Sequence, residues 1–395
     1  MEALIQVQDN LIKDLELKIN RTLNIDWDDR LIALVGPRGV GKTTYLLDRV
    51  KDSITQGNST LYTSMDDLYF ANNTLLSLAD SFVKRGGKFL YLDEIHKYPN
   101  WSQELKNIYD RYKTLHVVIS GSSILHIKQG EADLSRRAVV YTMQGLSFRE
   151  YIEIETGFKI APASLEEILT NHIELARTIT KEIRPLQYFQ EYLKHGYFPF
   201  YLESKKSYLI KLLSTINLTL EADLPYLKGV EMRHIHKLKK LLYVVSQAVP
   251  YKPNIAKLSR DVEVSRATIL TYLSYMQDAK LIRMMSYDVH GDSLLTKPEK
   301  LFFDNTNMMF AIGHGYANTG SERETFFLNQ VGLSNTLTYS DIGDFRINDK
   351  YIIEVGGSKK DKKQIADLPN AFIAADMIET GFDNKIPLWL FGFIY

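Results

Sequence analysis

Gly36-Pro37-Arg38-Gly39-Val40-Gly41-Lys42-Thr43 satisfies the pattern G-x-x-x-x-G-K-[ST], and it follows directly on the apolar run Leu31-Ile32-Ala33-Leu34-Val35. A buried strand must deliver this loop and a helix must leave it, so that backbone N–H groups converge on a phosphate. The pairing predicts an α/β fold with a parallel-sheet core and a nucleoside triphosphate as ligand.

Geometry assigns the roles within the loop. Gly36 and Gly41 permit close approach of the backbone. The amides of Gly39 through Thr43 face the phosphates, the Lys42 ammonium neutralises the β and γ groups, and the Thr43 hydroxyl binds Mg²⁺. Arg38 stands outside the minimal pattern and either touches a phosphate or is a solvated loop charge. The nucleotide-binding set is therefore Gly36, Pro37, Arg38, Gly39, Val40, Gly41, Lys42, Thr43 and Thr44, with ATP and Mg²⁺ as the expected cofactors.

A second element adds chemistry to binding. Phe89-Leu90-Tyr91-Leu92 is an apolar run introduced by Gly86-Gly87 and ending in Asp93-Glu94. It reads as a buried parallel strand whose acids lie at the C-terminal end, where α/β sheets bind ligands. Asp93 is expected to hold Mg²⁺ through water, and Glu94 to act on the attacking water as general base. A third run, His116-Val117-Val118-Ile119-Ser120, ends at a small hydroxyl and leads into Gly121-Ser122-Ser123. Ser120, with Ser122 as second choice, is placed to orient the hydrolytic water; serine and glycine also simply make turns.

Composition bounds the rest. The chain has 395 residues, a length suited to two or three domains, and no cysteine, so disulfides, thiolate-ligated zinc and a thiol nucleophile are excluded. The absence of cysteine fits a reducing compartment, and cytoplasmic location is expected. Met1 to Asn10 lacks a basic start followed by an apolar stretch, and the apolar tracts fall short of the ~20 residues that span a bilayer. Neither a signal peptide nor a membrane partner is expected. Lys plus Arg and Asp plus Glu both total 48, so any nucleic-acid partner must be met by local patches.

Along the chain, apolar positions near helical spacing (Leu4, Ile5, Leu11, Ile12, Leu15, Leu17, Ile19) predict a helix over 3–22 that packs beside the nucleotide. Strands are predicted at 31–35, 60–64, 89–92, 116–120 and 138–143, alternating with helical patterns such as Asn100 to Lys113. The domains read as 1–26, an N-terminal helix; 27–157, the P-loop core; 158–249, a helical lid region; 250–303, a winged helix; and 304–395, a C-terminal α+β domain. In the winged helix, Asn254 to Ser259 forms the first helix and Asp261-Val-Glu-Val the turn. Ser265 caps the second helix, and strands at Leu281 to Met285 and Lys300 to Phe303 flank a wing at His290-Gly291-Asp292. Arg266, Thr268 and Thr271 are the exposed candidates for contact with DNA; a spacer or protein-binding role is the alternative.

The motifs at 36–43 and 89–94, with the strand tip at Ser120, resemble the AAA+ ATPases. The fuller set, Gly36 to Thr44, Leu92 to Ile95 with Trp101 beyond, Ile119 to Ser123 and Gly145 to Tyr151, is similar to a prokaryotic AAA+ group. Members of that group carry a C-terminal domain of unknown function resembling PD-(D/E)XK nucleases. The resemblance covers nearly the whole chain and is specific in the first 151 residues. It implies a homo-oligomeric ATPase in which an arginine acts on a neighbour's nucleotide; Arg136 and Arg137 stand in that place. A second sensor arginine is not evident, Arg184 and Arg233 being the nearest candidates.

The same resemblance assigns Glu324 on a helix, Asp344 before the strand beginning at Lys350, and Glu354 at that strand's end to a Mg²⁺ site. Its lysine is missing: the motif reads Glu354-Val355-Gly356, with Lys359, Lys360, Lys362 and Lys363 just beyond. A nuclease-like fold kept for binding or assembly is therefore expected over an active nuclease, with DNA or protein as the possible partner of this domain and the winged helix. Three functions follow in order: an ATPase that drives or switches its C-terminal modules, an ATP-held scaffold or regulator, and an ATP-gated DNA-processing nuclease.

Overall fold

The computed structural model describes residues 1–16, 21, 23–122, 134, 136–247, 250, 252–287, 297–315, 317–361, 363, 365 and 368–395. Leu17, Ile19, Ser123, the wing at His290-Gly291-Asp292 and Lys362 lie outside them. The chain divides into two units, Met1–Gly145 and Leu146–Tyr395.

In the first unit, five apolar runs become five parallel strands: β1 (Leu31–Gly36), β2 (Thr60–Ser64), β3 (Phe89–Asp93), β4 (His116–Ser122) and β5 (Val139–Thr142). Their order, β2-β3-β4-β1-β5, places the strand that delivers the loop between β4 and β5. Ile32, Ala33, Leu34, Leu90, Leu92, Val117 and Ile119 are buried, as strands covered by helices on both faces must be. The helices are α1 (Glu2–Lys13), α2 (Lys42–Thr55), α3 (Leu75–Lys84) and α4 (Trp101–Arg111). α1 is shorter than its apolar spacing predicts. It closes at Asp14, whose side chain competes for backbone hydrogen bonds and favours helix ends.

The second unit opens with α5 (Phe148–Thr156), started by a capping box between Ser147 and Glu150. The stretch from Leu146 to Gly157, read from sequence as the end of the P-loop core, belongs to this unit for a packing reason. The Leu146 amide donates to the Tyr197 carbonyl at 2.7 Å, and Phe148 packs edge-on against Phe189 and Phe393. Helices α6 (Leu165–Glu182), α7 (Pro185–His195), α8 (Tyr208–Leu218), α9 (Leu224–Lys228) and α10 (Met232–Ser246) follow.

Next come α11 (Ile255–Val262) and α12 (Arg266–Asp278), then the antiparallel pair β6 (Ile282–Met285) and β7 (Lys300–Phe303). The turn between α11 and α12 is later than predicted. Asp261 and Val262 stay helical, with Val262 buried, and Glu263 makes the break at φ 60°. After α13 (Thr306–Ile312) and α14 (Thr319–Val331), the strands β8 (Leu337–Tyr339), β9 (Phe345–Ile347), β10 (Tyr351–Gly356), β11 (Ala371–Ala375) and β12 (Lys385–Pro387) form a mixed sheet in the order β12-β11-β10-β9-β8. Among the described residues no helix is long and apolar enough to cross a membrane.

Candidate functional site

β1 passes into the glycine loop, and Gly41, at φ 94°, occupies the N-cap of α2 in a left-handed conformation that a side chain would strain. No side chain of the described residues caps this end, so the first-turn amides of α2 are directed at the loop, the arrangement that favours an anion. Lys42, only 6% exposed, donates from Nζ to the Gly36 and Pro37 carbonyls, both at 2.9 Å. Pro37 and Val40 are buried, Arg38 is half-buried, and Gly39, Thr43 and Thr44 are exposed.

Asp93 is the hub. Thr43 Oγ1 donates to its Oδ2 at 2.6 Å, Tyr62 Oη donates to the same oxygen at 3.0 Å, and the Ser120 hydroxyl donates to Oδ1. Ser120 also accepts from the Glu94 amide at 3.1 Å, so one hydroxyl positions both acids. β4 continues to Ser122, so Ser120 lies inside the strand rather than at its tip, fully buried and registered opposite Leu34 of β1. Burial, reinforced by the Asp93 carboxylate, pushes the Tyr62 phenol far above its usual range and keeps it a neutral donor.

Glu94 leaves β3 in a left-handed conformation, φ 53°, and opens a short 3₁₀ turn. This turns its carboxylate out of the strand, 22% exposed, with Oε2 3.3 Å from Nε2 of the buried His96. The structure thus brings Thr43, Asp93, Glu94 and Ser120 together beside the lysine-bearing loop. Arg137 is turned elsewhere: its guanidinium makes two hydrogen bonds to Asp110 on α4, at 3.1 and 2.9 Å, and lowers that carboxyl's pKa. Arg136 is exposed.

Four contributing residues escaped the motif reading. Tyr62 sits in a run that looks like any strand interior, and His96 gives no signal beyond standing two residues after Glu94. Gln8 of α1 accepts the Tyr62 amide at 2.6 Å, fixing the edge of β2. Arg21 donates to the Val40, Gln144 and Gly145 carbonyls at 3.1, 2.7 and 3.1 Å, tying the glycine loop to the chain beyond β5.

The second unit holds the other candidates. Arg184 and Arg233 are exposed, and Arg233 pairs with Glu231. On α12 Arg266 is exposed, whereas Thr268 and Thr271, expected to be exposed, are half-buried with hydroxyls engaged by Ser265 and the Ala267 carbonyl. Helical hydroxyls satisfy themselves locally in this way, which the spacing does not reveal.

Glu324, Asp344 and Glu354 do meet, but not on the strands expected of them. Asp344 precedes β9, and Glu354 lies within β10 rather than at its end, because Phe345–Ile347 forms a short strand of its own before the chain turns back. Lys300 Nζ lies 3.2 Å from Glu324 Oε2 and 3.6 Å from Asp344 Oδ1, and Lys360 pairs with Glu354. Burial, with Asp344 adding to it, raises the Glu324 carboxyl to about 7. Lys359 and Lys363 are exposed. Among the described residues no group of three or more acids, histidines or cysteines is arranged to hold a metal ion as the chain stands.

Residues 28–152 match the family described as "AAA domain", and residues 186–312 a family described as a domain of unknown function, DUF8612. The chain is 26% identical to an uncharacterised protein of Methanocaldococcus jannaschii, over 94% of this chain and 85% of that one. Among solved structures, a RuvB variant of Thermotoga maritima is 15% identical, over 72% of this chain and 89% of that one, with a TM-score of 0.31. DnaA from Aquifex aeolicus bound to AMPPCP is 14% identical, over 70% and 87%, with a TM-score of 0.25. At such scores neither likeness bears on activity. The AAA-type match takes in all five strands of the parallel sheet in the first unit and runs on past Gly145 to residue 152.

Proposed function

We propose that the chain is a Mg²⁺-dependent ATPase of AAA+ type whose nucleotide state drives or switches the second unit. The observation that carries this reading is the hydroxyl cage on Asp93, with Thr43 and Ser120 on its two oxygens. A Thr43 hydroxyl beside a buried carboxylate is a set of hard oxygen donors that suits Mg²⁺, and these two residues would hold it. Bound there, the cation would neutralise charge on the β and γ phosphates. Lys42 would exchange its hold on the Gly36 and Pro37 carbonyls for phosphate oxygens, and the α2 amides would close on the same group. Glu94, free of the strand, would take the proton of the attacking water, while Ser120 keeps Glu94 and Asp93 in fixed relation.

A homo-oligomer fits this chemistry, with exposed Arg136 as the residue offered to a neighbour's nucleotide and Arg137 the alternative once it leaves Asp110. The order helix, turn, helix and antiparallel strand pair supports a winged-helix reading of 250–303 and a DNA or protein partner there. A cytoplasmic setting suits a cysteine-free chain.

The deciding experiment is steady-state ATP hydrolysis, run with and without duplex and single-stranded DNA beside mass measurement in the presence and absence of nucleotide. Lys42→Ala should abolish tight triphosphate binding. Unchanged affinity in that variant would refute the site, and binding without turnover in the intact protein would favour the scaffold reading.

A further inference from the structure

The nuclease-like resemblance implies a divalent cation between Glu324, Asp344 and Glu354, and the local structure argues against one. β10 ends at Gly356, the position at which the resemblance leads one to expect a lysine. A Cβ built there would stand 2.8 Å from both Cβ and Cγ of Lys360 and 3.0 Å from its Cδ, so the side chain of Lys360 fills the volume that residue 356 leaves vacant. The turn that returns it is a built feature. The Lys360 amide donates to the Gly357 carbonyl at 3.0 Å, and the buried Lys385 donates from Nζ to the Ser358 and Lys360 carbonyls at 2.6 and 3.0 Å. From there Lys360 reaches Glu354.

The second ammonium comes from another element. Lys300, the first residue of β7, is 13% exposed and bridges Glu324 and Asp344. Asp344 is committed further, since its Oδ2 accepts the Val355 amide at 2.8 Å. Around this point β6 and β7 are fastened to the mixed sheet. The Tyr339 amide donates to the Ser286 carbonyl at 2.8 Å, Tyr287 Oη donates to Asp341 at 2.8 Å, and the Tyr287 and Tyr339 rings meet edge-on at 4.9 Å.

We propose that Glu324, Asp344 and Glu354 form an ionic lock rather than a metal site: Lys300 and Lys360 supply its cations, and the lock holds the β6–β7 pair, and with it α11 and α12, against the mixed sheet. Buried carboxylates need paired cations, and two ammonium groups placed by separate elements meet that need without a metal. The helix–turn–helix segment therefore moves with the C-terminal sheet as one body, and removing a lysine opens an acidic pocket that a divalent cation can enter.

The test is the thermal midpoint of the full chain without nucleotide, with and without MnCl₂. The intact protein and Asp344→Asn should respond to Mn²⁺ equally, since any response then arises elsewhere. Lys300→Ala and Lys360→Ala should gain a Mn²⁺-dependent upward shift, with apparent affinity tighter by at least about tenfold, because a cation is no longer repelled at contact distance. Adding Asp344→Asn should remove that gain. Lys360→Ala, on a surface turn, keeps the test alive if Lys300→Ala does not fold. Stabilisation of the intact protein by Mn²⁺ that disappears in Asp344→Asn or Glu354→Gln would overturn the lock, as would absence of any gain in both lysine variants.

Discussion

Tyr62→Phe is the sharpest probe of how the nucleotide site is held. The substitution keeps the ring and the β2 strand and deletes one hydroxyl, which donates to Asp93 Oδ2 at 3.0 Å. Asp93 is 2% exposed, so the lost bond is to a desolvated carboxylate and no water readily replaces it. Hydrogen bonds to charged groups contribute about 1.5–3 kcal/mol. A loss of this size should lower the thermal midpoint of a unit this large by roughly 3–12 °C. The assay is thermal unfolding of the nucleotide-free chain, paired with a double-mutant cycle against Ser120→Ala. Because Tyr62 and Ser120 bond opposite oxygens of one carboxylate, their effects should be coupled by at least about 0.5 kcal/mol. A midpoint unchanged by Tyr62→Phe, with additive effects in the cycle, would refute the hydroxyl cage.

Glu94→Gln keeps shape and hydrogen bonding but removes the base, so ATP binding should persist while turnover in a steady-state assay falls by ~10²-fold or more. If Arg136 or Arg137 completes a neighbour's site, mixing inactive Lys42→Ala with an inactive Arg→Ala chain should restore part of the activity, measured against each chain alone. Glu324 gives a pH signature. Its folded carboxyl lies near 7, above the ordinary 4.5, because burial and Asp344, with Glu354 adding to them, outweigh Lys300. The stability it contributes is therefore complete below pH 4.5 and lost as pH rises to about 7. Denaturant titrations at pH 5 and pH 8 should show Glu324→Gln gaining on the intact protein by up to about 3 kcal/mol at the higher pH.

The parallel core was the legible part of this chain. Leu31 to Val35, Phe89 to Leu92 and His116 to Ser120 are short apolar runs closed by turn or acidic residues, the pattern of a strand covered on both faces. Asp93 and Glu94 were readable because they follow such a run directly, Ser120 because it ends one, and Thr43 because the glycine loop that carries it continues one. Tyr62 was not, since a phenol inside a strand gives no sign of whether it meets an acid or a solvent layer. Short strands hid the C-terminal order: Phe345-Arg346-Ile347 has too few residues for alternation to register, so Asp344 was attached to the wrong strand. Lys300 reads as the polar start of an apolar run, and nothing local to it reports that its ammonium lies between acids from two later segments.

The central place of β1 bears on how the domain is made. Its register pairs Leu31 with Val117 and Ile32 with Val139, so both of its neighbours are synthesised long after it. At about 5–20 residues per second, the apolar strand carrying the glycine loop leaves the ribosome several seconds before either partner exists. It must stay unpaired for that interval, open to association with other chains. Truncations ending before β5 should accordingly collect in aggregates, and the nucleotide site should be among the last features of the domain to form during translation.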